Sequence, residues 1–115
     1  LRRERLAIEA ADPEVGVILL DVVLGHGAHP DPAAELAPAI ADAHATAARD
    51  GRQLSVVVSL TGTAGDPQGR DRQAEALAKA GAVVFASNAA AAQHAATLVA
   101  SRTSSVSAEI EGAGR

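Results

Sequence analysis

Three times along this chain a short, almost unbroken apolar run gives way to a polar, glycine-bearing turn and then to a stretch with helical spacing. The runs are Val15-Gly-Val-Ile-Leu-Leu20, Leu54-Ser-Val-Val-Val-Ser-Leu60 and Ala82-Val-Val-Phe-Ala86. None of them alternates apolar with polar residues, so each reads as a strand covered on both faces, which is the habit of parallel sheets. The first is expected to be a central strand.

Between the runs lie the helices that such a sheet needs. Leu1 to Ala11 sets Leu6, Ala7 and Ala10 at helical spacing among charged residues, and Asp12-Pro13 ends it. Asp31-Pro32 reads as an N-cap followed by proline at the first helical position, with Leu36, Ile40, Ala43 and Ala47 on one stripe before a stop near Asp50-Gly51. Asp66-Pro67 repeats that start, with Ala74, Leu77 and Ala78 inward and a stop at Gly81. Ser87 or Asn88 can cap the last helix, whose apolar face is Ala91, Ala95, Leu98 and Val99.

The order helix, strand, helix, strand, helix, strand, helix predicts an α/β fold with right-handed crossovers and helices on both faces of a three-stranded parallel sheet. So narrow a sheet leaves an exposed edge, and an earlier strand or a second chain is expected to complete it. Self-association follows from that edge. The domain is expected to span 1–102, and the Ser-, Gly- and Ala-rich segment 103–115 reads as a frayed tail. A chain that starts at Leu1, lacks methionine and opens on a helix is expected to be a piece of a larger protein.

Composition narrows the chemistry. The chain has 115 residues, 48% of them hydrophobic, yet much of that fraction is alanine and the sole aromatic residue is Phe85. Its core therefore rests on the Val/Ile/Leu strands and on helices packed through small side chains. The formal charge of -4 and the lack of an aromatic platform argue against nucleic-acid binding. Without cysteine there is no disulfide and no thiolate nucleophile, as suits the cytoplasm. The longest apolar stretch, Val15 to Leu24, is interrupted by Asp21 and too short to span a bilayer, so no membrane partner is expected.

Ligands of open parallel sheets bind beyond the carboxyl ends of the strands, where the segments Asp21 to Asp31, Thr61 to Gly69 and Ser87-Asn88 converge. In the first, His26 and His29 are candidates for a general base or phosphoryl acceptor, with Asp21 as a strand-end acid. The spacing matches no fixed metal pattern, and no metal is assigned. In the second, Thr61, Gly62, Thr63, Gly65 and Gln68 form a candidate anion loop opening on a helix N-terminus, aided by Arg70 or Arg72. It lacks the Gly-Lys-Ser/Thr ending of a Walker loop. The bland alternative for both loops is a glycine-rich turn in which Asp31 and Asp66 cap helices. His44 and His94 lie on the margins of helix stripes and read as structural, and Ser59 and Ser87 lack nucleophile-elbow glycines.

Taken together, Leu-Arg-Arg-Glu-Arg-Leu at the start, the stretch Asp12 to Gly25, Ala28-His-Pro-Asp-Pro32 and Gly65-Asp-Pro-Gln68 resemble the C-terminal part of FdrA proteins, relatives of the succinyl-CoA synthetase alpha subunit. The resemblance runs from Leu1 to about Ala100. It implies a flavodoxin-like three-layer CoA-ligase domain within a multidomain acyl-CoA synthetase that works through a phosphohistidine. CoA and nucleotide are implied for the parent protein, with the CoA-binding domain upstream, and no cofactor is expected in this fragment. The implied partners are the parent's other domains or subunits and further copies of itself. In the ligases the phosphorylated histidine follows the strand that corresponds to Leu54 to Leu60, yet Thr61 to Gln73 contain no histidine. A glutamate that contacts it is matched here by Val23. Some FdrA-like proteins are instead associated with allantoin and purine breakdown, within an oxamate carbamoyltransferase assembly. Three readings therefore stand side by side: acyl-CoA synthetase fragment, carbamoyltransferase component, and a non-catalytic dimerisation or scaffold domain.

Overall fold

A computed structural model describes residues 2–24, 31–62, 67–102 and 105–111. The helices are α1 (Arg2–Ala11), α2 (Pro32–Arg49), α3 (Pro67–Lys79) and α4 (Asn88–Arg102). The strands are β1 (Val15–Leu24), β2 (Ser55–Gly62), β3 (Val83–Phe85) and β4 (Ser105–Glu111). The sheet is parallel in the order β3-β2-β1-β4. The α/β layered architecture and the three expected strands are present. The expectation of a frayed tail is corrected over Ser105–Glu111, which pairs with β1 and makes β1 interior. What completes the sheet beside β1 is this chain's own last strand.

Handedness explains which helix lies on which face. The connections β1 to β2 and β2 to β3 each step outward in one direction, so a right-handed crossover puts α2 and α3 on the same side. The connection from β3 to β4 runs back across the sheet, and the same rule puts α4 on the other side. The packing agrees: Leu36 and Ile40 of α2, Leu77 of α3 and Leu6 of α1 share one core with Ile18, Leu20, Val56 and Val58. The second core is small, with Val17 and Val57 against Ala91 and Ala95 of α4, flanked by Leu19, Phe85, Leu98 and Val99. Alternate residues of β1 and β2 thus serve different helices, as the pleat requires.

All four expected stripe positions of α2 are buried. In α1, Leu6 and Ala10 are buried, whereas Ala7 is exposed and lines an open groove with Pro38 and Ala39 of α2. In α3, Leu77 is buried and Ala74 packs beside it, but Ala78 faces outward and Ala76 and Ala80 take the inner positions.

Both helix stops are Schellman motifs. After α2, the Arg52 N–H donates to Ala47 O and the Gly51 N–H to Ala48 O, with Gly51 at φ 69°. After α3, the Ala82 N–H donates to Leu77 O and the Gly81 N–H to Ala78 O, with Gly81 at φ 113°. His44 of α2 bonds through Nε2 to Gly81 O at 3.2 Å, and a Cβ on Gly81 would stand 2.7 Å from the ring. Gly81→Ala is therefore expected to cost about 2 kcal/mol, combining backbone strain with displacement of His44. A urea midpoint unchanged from wild type would contradict that. His94 packs on Phe85 with ring centroids 5.2 Å apart, so both helix histidines are structural.

Candidate functional site at the carboxyl ends of the strands

β2 feeds α3 on one face while its neighbour β3 feeds α4 on the other, and in open parallel sheets the carboxyl edge beside such a divergence is the usual place for a ligand. On the α4 side of that edge the sheet turns from apolar to polar. Going up β1 from Val17 and Leu19 the next residue on that face is Asp21, and going up β2 from Val57 it is Ser59. The two are register partners, and Ser59 also pairs with Phe85.

Ser59 is only 2% exposed, the one buried polar residue among those described. Its Oγ lies 2.7 Å from Asp21 Oδ1 and 2.7 Å from Asn88 Oδ1. A hydroxyl has one proton, so it cannot donate to both oxygens. The consistent arrangement has Ser59 donating to the Asp21 carboxylate, and the Asn88 amide turned by half a rotation so that Nδ2 donates to Ser59 Oγ. Asn88 is free for this because Ser87 is the cap of α4. The Ala90 N–H donates to Ser87 Oγ at 3.1 Å, and the Ala91 N–H donates to Ser87 O.

A second polar cluster closes the start of α2. The Ala33 N–H donates to Gln73 Oε1 at 2.8 Å, the Ala34 N–H donates to Asp31 Oδ1 at 3.2 Å, and Gln73 Nε2 donates to the same Asp31 oxygen at 2.7 Å. Asp31 is the N-cap that the Asp-Pro pair predicts, and Gln73 of α3 joins it. This helix N-terminus is occupied by protein groups and repels anions through Asp31.

Asp21, expected as a strand-end acid, lies inside β1, three residues before its end at Leu24, because the strand runs on through Val22 and Val23. Thr61 and Gly62 close β2 beside Val23 and Leu24 of β1, with Thr61 half-buried and Gly62 exposed. Gln68 is in the first turn of α3, and Arg70 and Arg72 are exposed on that helix. His26, His29, Thr63, Gly65 and Asp66 lie outside the described residues. Among the described residues, no three His, Asp or Glu side chains gather as a metal site requires. Sequence reasoning gave Ser59 no role beyond excluding it as a nucleophile, offered Asn88 only as a possible cap in a converging segment, and assigned nothing to Gln73. The signal for Ser59 was a polar residue inside a run that should be buried on both faces; for Gln73 there was none, since its partners are 40 and 42 residues away.

No helix among the described residues is long and apolar enough to cross a membrane. The CoA-ligase family model matches residues 1–98. Among curated proteins the chain is 40% identical over 87 residues to "Uncharacterized protein YahF" of Escherichia coli (strain K12), an alignment covering 76% of this chain and 17% of that protein. The chain thus spans a small part of the length of this relative. No solved structure matches it. With the matched region running from α1 through most of α4, and so holding β1 to β3 and their carboxyl ends, the chain belongs to the CoA-ligase family.

Proposed function

We propose that the chain is the CoA-ligase-type domain of an FdrA-type acyl-CoA synthetase related to the succinyl-CoA synthetase alpha subunit. Its contribution is a strand-end anion loop, Thr61, Gly62, Thr63, Gly65 and Gln68, and a surface against other domains, subunits or copies. The observation that carries this reading is the family match across β1 to β3 and the helices that follow them. In support, α3 starts at Pro67, directly after the loop that leaves β2, so its first-turn N–H groups and dipole favour an anion at that point. The start of α2, by contrast, is filled by Asp31 and Gln73. CoA and nucleotide belong, on this reading, to other domains of the parent protein, and no residue here is assigned to them.

One observation favours a second reading. Thr61 to Gln73 contain no histidine, so the loop where the ligases carry their phosphoryl group has no residue to accept it. Carbamoyl transfer within an oxamate carbamoyltransferase assembly needs no such carrier.

Labelling the full-length parent and its partner subunits with γ-phosphate-labelled ATP separates the two. Acid-labile label that is lost in His26→Ala or His29→Ala is the expected result for a ligase whose carrier has moved to the first loop. No label in a correctly assembled, nucleotide-binding complex would reject the ligase reading and leave carbamoyl transfer or a scaffold.

A further inference from the structure

We propose that Asp21 and Asn88, held together over Ser59, form a subsite for a protonated amine. It goes beyond the anion loop, from which it differs in sign, and stands on separate residues.

The inference starts from the single proton on Ser59 Oγ. Once that proton is given to Asp21 Oδ1 and Asn88 Nδ2 donates to Ser59, the second carboxylate oxygen of Asp21 and the carbonyl oxygen of Asn88 remain as acceptors. The two bonded atoms share one oxygen, so they stand at most twice 2.7 Å apart and a single small group can touch both residues. The alternative amide orientation sets two acceptor oxygens against one hydroxyl proton and leaves one of them unpaired beside a buried serine.

Charge selects the ligand class. Asp21 has no cationic partner among the described residues, where Arg5 pairs with Glu9, Lys79 with Glu75, and Arg52 with Asp50 and two main-chain carbonyls. Below Asp21 on the same face are Val17 and Leu19, an apolar floor that strengthens any charge interaction above it. Asp21 is half-buried and Asn88 exposed, so neither side chain is sealed inside the fold. The Asp21 charge outweighs the partial positive charge at the start of α4, and two acceptors side by side suit a group rich in donors: an ammonium, with three N–H bonds to give.

The test is an NMR titration of the nitrogen-15-labelled 115-residue chain with methylammonium chloride, referenced to sodium chloride at equal ionic strength, with neutral acetamide and inorganic phosphate as parallel probes. Methylammonium is expected to shift the Asn88 side-chain amide and the Asp21 and Ser59 main-chain amides saturably. Binding is expected to weaken at least tenfold in Asp21→Asn, which removes the charge while keeping the shape. No saturable shift in folded wild type, an equal response in Asp21→Asn, or acetamide binding as tightly as methylammonium overturns the proposal. Phosphate reads out at Thr61, Gly62 and the start of α3, so failure of the anion loop would appear at different residues from failure of the amine subsite.

Discussion

Alanine at Ile18 is expected to lower the unfolding free energy by about 4 kcal/mol. Ile18 is fully buried in an interior strand, in register with Val56 on one side and Ser107 on the other, and it faces the core that α1, α2 and α3 share. Removing its outer carbons costs their transfer free energy and leaves a cavity among β-branched neighbours and strands that cannot close over it. Domains of this size are held by only about 5–15 kcal/mol, so the loss is a large share of the total. The aliphatic strands carry more of this fold than usual because the helices contribute mostly alanine. Urea denaturation of wild type and variant measures the difference, and a loss under about 1.5 kcal/mol would mean that the site collapses around the smaller side chain.

Arg52→Ala is expected to cost about 3 kcal/mol and to act first on α1. The guanidinium donates through Nη2 to Ala10 O at 2.8 Å and to Asp50 Oδ2 at 3.1 Å, and through Nη1 to Asp12 O at 3.1 Å. It sits at the end of α1 where unpaired carbonyls and the negative end of the helix dipole meet, and it is only 17% exposed. Its Nε is buried without a partner, so part of the gain is offset by desolvation. Without the arginine the last carbonyls of α1 lose their donor, and Leu6 and Ala10 hold the helix alone. Hydrogen exchange should show lost protection in Arg2–Ala11 while β1 and β2 stay protected. An even loss over the whole chain would count against a local clamp.

What could be read in advance was whatever depends on local rules. Asp31-Pro32 and Pro67 start helices where the sequence puts them, Gly51 and Gly81 end them, and the apolar runs are strands in a parallel sheet. The stripe of α2 was read correctly from Leu36 to Ala47, and only its first turn, where Ala33 is also buried, was left out. That of α3 was not read correctly, since an alanine-rich helix gives almost no contrast between Ala76, Ala78 and Ala80. β4 was missed although Val106, Ala108 and Ile110 alternate with polar residues, because a Ser- and Gly-rich setting hid a period of two. Of the site, Asp21 was legible as a charge inside an apolar run. Its companions were not, since Ser59 and Asn88 meet it only through strand register and the return of α4.

The strand order also fixes when this sheet can be finished. β1 can pair with β2 as soon as α2 and β2 have followed it from the ribosome, but its other edge waits for β4, because Val15 pairs with Ser105 and Val22 with Glu111. During synthesis, then, the most apolar strand of the chain carries an open hydrogen-bonding edge until β4 has been translated, and closing that long loop is the slow step. Chains released before Glu111 would expose β1 to its neighbours in a polysome, which makes the short segment Ser105–Glu111 a guard against aggregation during birth.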